Sequence, residues 1–225
     1  MLRVDILSAV PSSMQSYIDS SILKIAREKG LAEIHLHNLH DYTEDKFGRI
    51  DDYPYGGGSG MLIKCEPVFN LIEQLQSERD YDEVIYLSAD GEKFTQTVAN
   101  EFSLKQNLIF IAGHYKGIDQ RIRDELVTRE ISMGDFILTG GELPSLIIVD
   151  AVVRLLPGVI GDSTSALTDS FMDGLLEAPS YTRPDDFKGF KVPDVLLSGN
   201  HAKIDEWKQE MSLEKTKKRR PDLLD

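Results

Sequence analysis

Ile131-Ser132-Met133-Gly134-Asp135-Phe136-Ile137-Leu138-Thr139-Gly140-Gly141-Glu142-Leu143-Pro144 joins an apolar run to a paired-glycine turn and then to a helix start. Gly140 and Gly141 lack a Cβ and tolerate positive φ, so main-chain N–H and C=O groups there can come close to a bound molecule. Pro144 suits the first turn of the helix that follows. Two earlier segments repeat the theme, Val84-Ile85-Tyr86-Leu87-Ser88-Ala89-Asp90-Gly91 and Leu108-Ile109-Phe110-Ile111-Ala112-Gly113-His114-Tyr115-Lys116-Gly117. In each, a short β-rich run ends in a loop that holds glycine and a polar or aromatic group. Open α/β sheets bind ligands beyond the carboxyl ends of their strands, so three such ends point to one shared pocket. Neither GxGxxG after a strand nor GxxxxGK[ST] occurs, so the ligand is not one gripped by its pyrophosphate.

Outward from that stretch, strands are expected near Leu2–Ser8, Glu33–Leu39, Glu83–Leu87 and Asn107–Ala112. Helices are expected at Pro11–Lys29, with Ser12 or Ser13 as cap, and at Glu66–Ser77, Thr95–Ser103 and Leu143–Leu156. The alternation predicts an α/β fold with a largely parallel, doubly wound sheet over residues 1–160. The small, polar run at 161–175 reads as a flexible linker. Beyond it, Pro179, Pro184 and Pro193 break the chain before Asn200 opens a helix from about Ala202 to Arg219, which predicts a small helical domain over 176–225.

A chain of 225 residues, 41% hydrophobic and 28% charged, has the composition of a globular protein with a real core. The single cysteine, Cys65, excludes an internal disulfide framework and fits a reducing, cytoplasmic setting. Met1–Leu7 reads as a first strand containing a charge, not as a signal peptide. Asp150 and Arg154 interrupt the longest apolar stretch, Leu143–Ile160, which is therefore a buried helix and not a membrane span. The net charge of −13 disfavours nucleic acid at first sight, but it is uneven. Residues 1–175 hold 15 Lys/Arg against 28 Asp/Glu, whereas 176–225 hold ten of each. Five cations fall within Lys215–Arg220 at the close of the last helix, where they either oppose the helix dipole or meet a polyanion.

Arg154 follows Asp150 by four residues, the spacing of an ion pair on one helix face, but it also stands at the helix end, from which it can swing to a ligand. Asp169, in a polar loop, reads by itself as a turn residue. His35 and His37 could bind a metal as a His-x-His pair, yet Ile34-His35-Leu36-His37 alternates as the wet side of a half-buried strand does, so no metal site is expected. His201, Cys65 and Trp207 read as helix-start, core and packing residues.

Several motifs run in one order along the whole chain: Asp51-Asp52-Tyr53-Pro54-Tyr55-Gly56-Gly57-Gly58-Ser59-Gly60-Met61, Tyr86-Leu87-Ser88, Gly113-His114-Tyr115-Lys116-Gly117-Ile118-Asp119, and the segment from Gly134 to Pro144. They continue with Asp169-Ser170-Phe171, Tyr181-Thr182-Arg183-Pro184, Leu196-Leu197-Ser198-Gly199-Asn200-His201 and Arg219-Arg220-Pro221. In these the chain resembles the bacterial tRNA (guanine-N1)-methyltransferase family, TrmD, of the SPOUT superfamily. The resemblance implies a trefoil-knotted α/β sheet, which periodicity could not have suggested because threaded chains are so rare. It implies a homodimer with a shared active site that uses S-adenosyl-L-methionine to methylate N1 of guanosine 37 in tRNA. It places the cofactor on Tyr86, Leu87, Ser88, Gly113, Tyr115, Ser132, Met133, Gly134, Asp135, Phe136, Ile137, Leu138, Gly140, Gly141 and Pro144. Asp169 becomes the general base, in a loop belonging to the partner subunit, and Arg154 the group that stabilises charge developing on the guanine. Asp51, Ser170, Arg183, Lys217, Lys218, Arg219 and Arg220 become tRNA contacts. Two positions depart from the family: His114 stands where arginine is common, and Lys116 where glutamate is. A lysine there would repel a cation, which argues against a magnesium contact at this position. Two other readings compete, a methyltransferase for another RNA and an RNA-binding module without activity. The Asp51–Met61 motif counts against the first, and the presence of both Arg154 and Asp169 against the second.

Overall fold

The computed structural model describes residues 1–161 and 169–224, in two compact units, Met1–Gly161 and Asp162–Asp225. In the first, the order is β1 (Leu2–Ser8), α1 (Ser12–Ile18), α2 (Ser21–Glu28), β2 (Ala32–Asn38), β3 (Asp51–Asp52), β4 (Leu62–Ile63), α3 (Cys65–Glu78), β5 (Glu83–Lys93), α4 (Gln96–Ser103), β6 (Asn107–Ile111), α5 (Gln120–Glu125), β7 (Arg129–Ser132) and α6 (Glu142–Val153). Five strands form one sheet in the order β2-β1-β6-β5-β7, and every pairing in it is parallel.

A central parallel strand is covered on both faces, so it reads as an apolar run and not as an alternation. Leu108, Ile109, Phe110 and Ile111 of β6 are all fully buried. Leu108 and Phe110 join a cluster with Met14, Leu23, Phe102 and Val149, from α1, α2, α4 and α6. Ile109 and Ile111 join one with Leu71, Ile72 and Ile122, from α3 and α5. Two helical layers thus sandwich the sheet, as the βα alternation predicts.

The helix expected over Pro11–Lys29 is two helices. Ser21, the first residue of the second, takes φ +48°, and the Arg27 guanidinium clamps the break by a 2.6 Å bond to the Asp19 carboxylate. Two short segments bury Met14 and Ile18 as well as Leu23 and Ala26. Neither Ser12 nor Ser13 caps: the N-cap is Pro11, and the Ser13 hydroxyl donates to the Val10 carbonyl instead. Two other caps do form, Thr95 accepting from Val98 N–H and Asn200 from Lys203 N–H. Helix α5 adds an element that the periodicity does not announce, since six residues are too few for a helical repeat to register.

His37 is not on a wet face. Its Nε2 lies 2.7 Å from Oδ1 of Asp5, a carboxylate with no exposed surface. Arg3 Nε donates to the same carboxylate at 2.7 Å and the Tyr81 hydroxyl at 2.8 Å. Burial alone would raise the Asp5 pKa, but the donors His37, Arg3 and Tyr81 outweigh it and hold the carboxyl well below its ordinary range. A charge inside a first strand is tolerated because three partners from β1, β2 and the α3–β5 loop converge on it.

In the second unit, β8 (Asp186–Phe187) and β9 (Phe190–Lys191) form an antiparallel hairpin, followed by α7 (Asp194–Leu197) and α8 (His201–Arg219). The segment after Asp169 is tied to α8: Leu176 N–H donates to Thr216 Oγ1 at 2.9 Å, and Lys215 Nζ donates to the Glu177 carbonyl at 2.6 Å. Of the linker expected at 161–175, residues 162–168 lie outside the described residues; Ser170 to Glu177 form hydrogen-bonded turns, Phe171 N–H donating to the Leu175 carbonyl at 2.8 Å.

Candidate active site

The carboxyl ends of β5, β6 and β7, adjacent in the sheet, each release a loop on the same side, and the three loops enclose a cleft of about 280 Å³. β5 supplies the first by a break in register. Leu87 and Glu92 both pair with Ile131, so Ser88–Gly91 bulge out between them. Gly91 lets the bulge close, since a Cβ there would lie 2.6 Å from the backbone of Glu130 and Ile131. β6 supplies the second loop, in which Tyr115 takes φ +58°.

The third loop follows β7 and contains the two glycines. Gly141 N–H donates to the Gly113 carbonyl at 2.7 Å, and a Cβ at Gly141 would meet Ala112 Cα at 2.7 Å. The paired-glycine turn therefore lies against the β6 loop, an approach that only glycine permits. The apolar run does not extend β7 beyond Ser132; Phe136, Ile137 and Leu138 belong to the loop, with Ile137 82% exposed.

Every residue that the resemblance assigns to the cofactor lines this cleft except Asp135. The Asp135 carboxylate is exposed and pairs with Lys93 Nζ at 2.9 Å. Sequence reading missed Asp90 and Arg123, which also line the cleft. Arg123 bridges Glu130, at 2.6 Å, and Asp90, at 2.6 Å, and lies 5.6 Å from the centre of the Tyr86 ring. Held by Arg123 and the Ser88 hydroxyl, the Asp90 carboxyl is lowered to about 2, so a carboxylate stands at the cleft. Burial raises the Tyr86 phenol, which keeps it neutral beside that ion pair. A signal for Asp90 is present in the small, polar Ser88-Ala89-Asp90-Gly91; Arg123 has none, because its partners come from two other elements.

Behind the third loop, Glu142 is buried in the first turn of α6. Its Oε1 accepts from the Ser8 hydroxyl at 2.7 Å, and its Oε2 lies 3.7 Å from His114 Nδ1. A Cβ at Gly140 would press on both the Glu142 carboxylate and His114. Lys116, also on the cleft, is exposed. Among the described residues there is no group of three or more His, Cys, Asp or Glu that could hold a metal ion.

Arg154 is the C-cap of α6, half-buried, with its N–H on the Asp150 carbonyl at 3.1 Å; the Asp150 carboxylate accepts from the Tyr17 hydroxyl. Asp169 is in the second unit, where its carbonyl accepts from Met172 N–H. Ser170 Oγ accepts from Glu177 N–H at 3.0 Å. Asp51 lies in the first unit, on β3 paired with β4. Arg183, Lys217, Lys218 and Arg219 are exposed in the second. The Arg220 guanidinium is engaged by Asp222 at 2.6 Å and lies 5.7 Å from the Phe171 ring centre. No helix of the described residues is long and apolar enough to cross a membrane.

Residues 2–225 match the family model for tRNA (guanine-1)-methyltransferase TrmD. The chain is 59% identical to a tRNA (guanine-N(1)-)-methyltransferase of Bacteroides thetaiotaomicron over the full length of both. It is 55% identical to a protein of the same name from Flavobacterium psychrophilum, again over the full length of both. With the one from Chlorobium chlorochromatii it shares 56% identity, over all of this chain and 97% of that protein.

Proposed function

The chain belongs to the tRNA (guanine-1)-methyltransferase family, and we propose that it transfers a methyl group from S-adenosyl-L-methionine to N1 of guanosine 37 in tRNA, in the cytosol. The observation that carries the reading is the single cleft built from three strand ends, where the family's cofactor residues converge. Its walls suit an adenosyl compound. Tyr86, Leu87, Ile131, Leu138 and Pro144 are apolar or aromatic, and the glycine loops present main-chain polar groups. The Asp90 carboxylate complements a cationic ligand. When bound, the cofactor supplies a methyl group already activated on a sulfonium centre.

Asp169 is the general base in this proposal. Guanine N1 carries a proton and attacks poorly until a carboxylate within hydrogen-bond reach removes it, a contribution of roughly 10²–10⁴-fold. Arg154 stabilises the negative charge that then spreads to the guanine carbonyl oxygen, an interaction stronger in the transition state than in the ground state. The cleft walls hold the reacting atoms in line. Lys116, in place of a family carboxylate, speaks against a magnesium contact at that position.

The same membership supports a trefoil-knotted SPOUT path, and the bond from Gly141 to the Gly113 loop is compatible with one. A homodimer with a shared site is supported by apolar side chains exposed on α1 and α6: Tyr17 is 47% exposed, Leu143 60% and Ile147 49%. Exposed apolar surface of this kind marks interfaces. Asp51, Ser170, Arg183, Lys217, Lys218, Arg219 and Arg220 are proposed to meet the tRNA.

Incubation with methyl-labelled S-adenosylmethionine and unmodified tRNA, followed by nucleoside analysis, tests the reading. Label in 1-methylguanosine is expected, and tRNA carrying adenosine at position 37 should take none. Label in another nucleoside would reassign the target, and no transfer at all would favour a binding module.

A further inference from the structure

The hairpin of the second unit exposes two aromatic rings that nothing in the proposed chemistry uses. β8 and β9 pair Phe187 directly with Phe190, and the two residues between them, Lys188 and Gly189, have φ +56° and +85°. Positive φ at both central residues is the backbone of the tightest hairpin turn, and directly opposed residues project from the same face of a strand pair. Phe187 is 59% exposed and Phe190 80%. A strand pair this short with no core beneath it gains nothing from phenylalanine in water. One cation stands at the pair, Lys188 Nζ lying 5.3 Å from the centre of the Phe187 ring, and Lys191 and Arg183 are exposed and near in sequence. The turn is fixed by Gly189 N–H donating to the Asp186 carboxylate at 2.9 Å, so the pair is presented on a defined backbone.

We propose that Phe187 and Phe190 form a stacking platform for unpaired nucleobases of the RNA substrate, with Lys188 and Lys191 on the adjoining phosphates. Aromatic faces that stack on bases, interleaved with ammonium groups, are the composition by which proteins hold single-stranded nucleic acid. The lysines alone would meet any anionic surface; the exposed rings add the stacking that unpaired bases offer. The inference rests on tRNA being the substrate and adds to that reading a site for looped-out bases.

Stacking and phosphate contacts differ in salt dependence, because only the latter release counterions. Binding of the full chain to unmodified tRNA is measured at several salt concentrations for wild type, Phe187→Leu/Phe190→Leu and Lys188→Gln/Lys191→Gln, with folding checked by circular dichroism. Leucine keeps the apolar area and removes the ring face. The leucine variant is expected to bind about tenfold or more weakly at every salt concentration with the slope unchanged. The glutamine variant is expected to bind with a shallower slope. Unchanged affinity in the leucine variant overturns the platform. So does weaker binding accompanied by a changed sedimentation coefficient of the free protein, which would make the hairpin an interface between copies of this chain. A wild-type chain that binds no tRNA overturns the substrate reading, and the platform with it.

Discussion

The two units are built on opposite principles. Residues up to Val159 contribute every buried hydrophobic side chain described, on both faces of a parallel sheet, and the cleft is made of loops that this core holds in place. In the second unit, Thr216 is the one buried residue among those described, and large apolar groups such as Phe187 and Phe190 face solvent. Charge divides too, since residues 1–161 hold 15 Lys/Arg against 25 Asp/Glu and residues 162–225 hold ten against 13. A rigid unit suits a small ligand, which needs fixed donors and walls. An open unit with exposed cations and rings suits a long, flexible polyanion.

The strongest way to break that contrast is chemical. Asp169→Asn should lower the single-turnover methylation rate by roughly 10²–10⁴-fold if Asp169 is the base proposed above, while affinity for S-adenosylhomocysteine stays near wild type. Arg154→Ala should also reduce turnover, with little change in KM for the cofactor. A wild-type rate for the Asp169 variant would reduce that residue to an ordinary turn aspartate.

Stability measurements sharpen the contrast next. Phe102→Ala, fully buried in the first unit, should cost about 3–5 kcal/mol in urea unfolding. Leu213→Ala on α8, 37% exposed, should cost under about 1 kcal/mol. Equal destabilisation would mean that the second unit carries a core of its own.

A buried charge gives a third test, of how rigid the first unit is. Asp5 has its folded-state pKa held below the ordinary value of about 3.9. Its contribution is therefore complete above about pH 4 and disappears as pH falls from there toward the folded-state value. Asp5→Asn should cost about 3 kcal/mol near neutral pH, since it leaves Arg3 and His37 facing an uncharged group. It should also remove part of the acid-induced destabilisation. Parallel pH profiles of wild type and variant would refute the role given to this network.

The smallest effect is expected at the end of α8. Lys217→Gln, Lys218→Gln and Arg219→Gln together should weaken tRNA binding and flatten its salt dependence by roughly 0.7–0.9 in slope for each phosphate no longer neutralised. Arg220 should contribute less, because Asp222 and Phe171 already engage it. An unchanged slope would leave the cations opposing the helix dipole and nothing more.

What was legible in the sequence follows the same division. Strands β1, β5 and β6 declared themselves because each carries buried aliphatic residues in close succession, β2 by its alternation, and the helix starts at Thr95 and Asn200 because a cap is local, although the caps expected at Ser12 and Ser13 do not form. The motifs around Tyr86, Gly113 and Gly140 announced loops at strand ends. What could not be read depends on partners distant in sequence: the Asp5 cluster, assembled from β1, β2 and Tyr81, the bulge at Ser88–Gly91, and the Arg123 bridge to Asp90 and Glu130. The break at Ser21 was hidden because both halves of Pro11–Lys29 carry helical periodicity. Ile137 has the look of core and is exposed in a loop, since an apolar run has the same composition in a strand as over a ligand cleft.

Whether the first unit alone forms the cofactor site is tested most directly by hydrogen exchange followed by mass spectrometry, with and without saturating S-adenosylhomocysteine. Slowed exchange is predicted in the segments Ser88–Gly91, Gly113–Gly117 and Ser132–Gly141, with residues 186–191 and the end of α8 unchanged. Exchange unaltered in those three loops, or slowed only in the second unit, would contradict a cofactor site built from the ends of β5, β6 and β7.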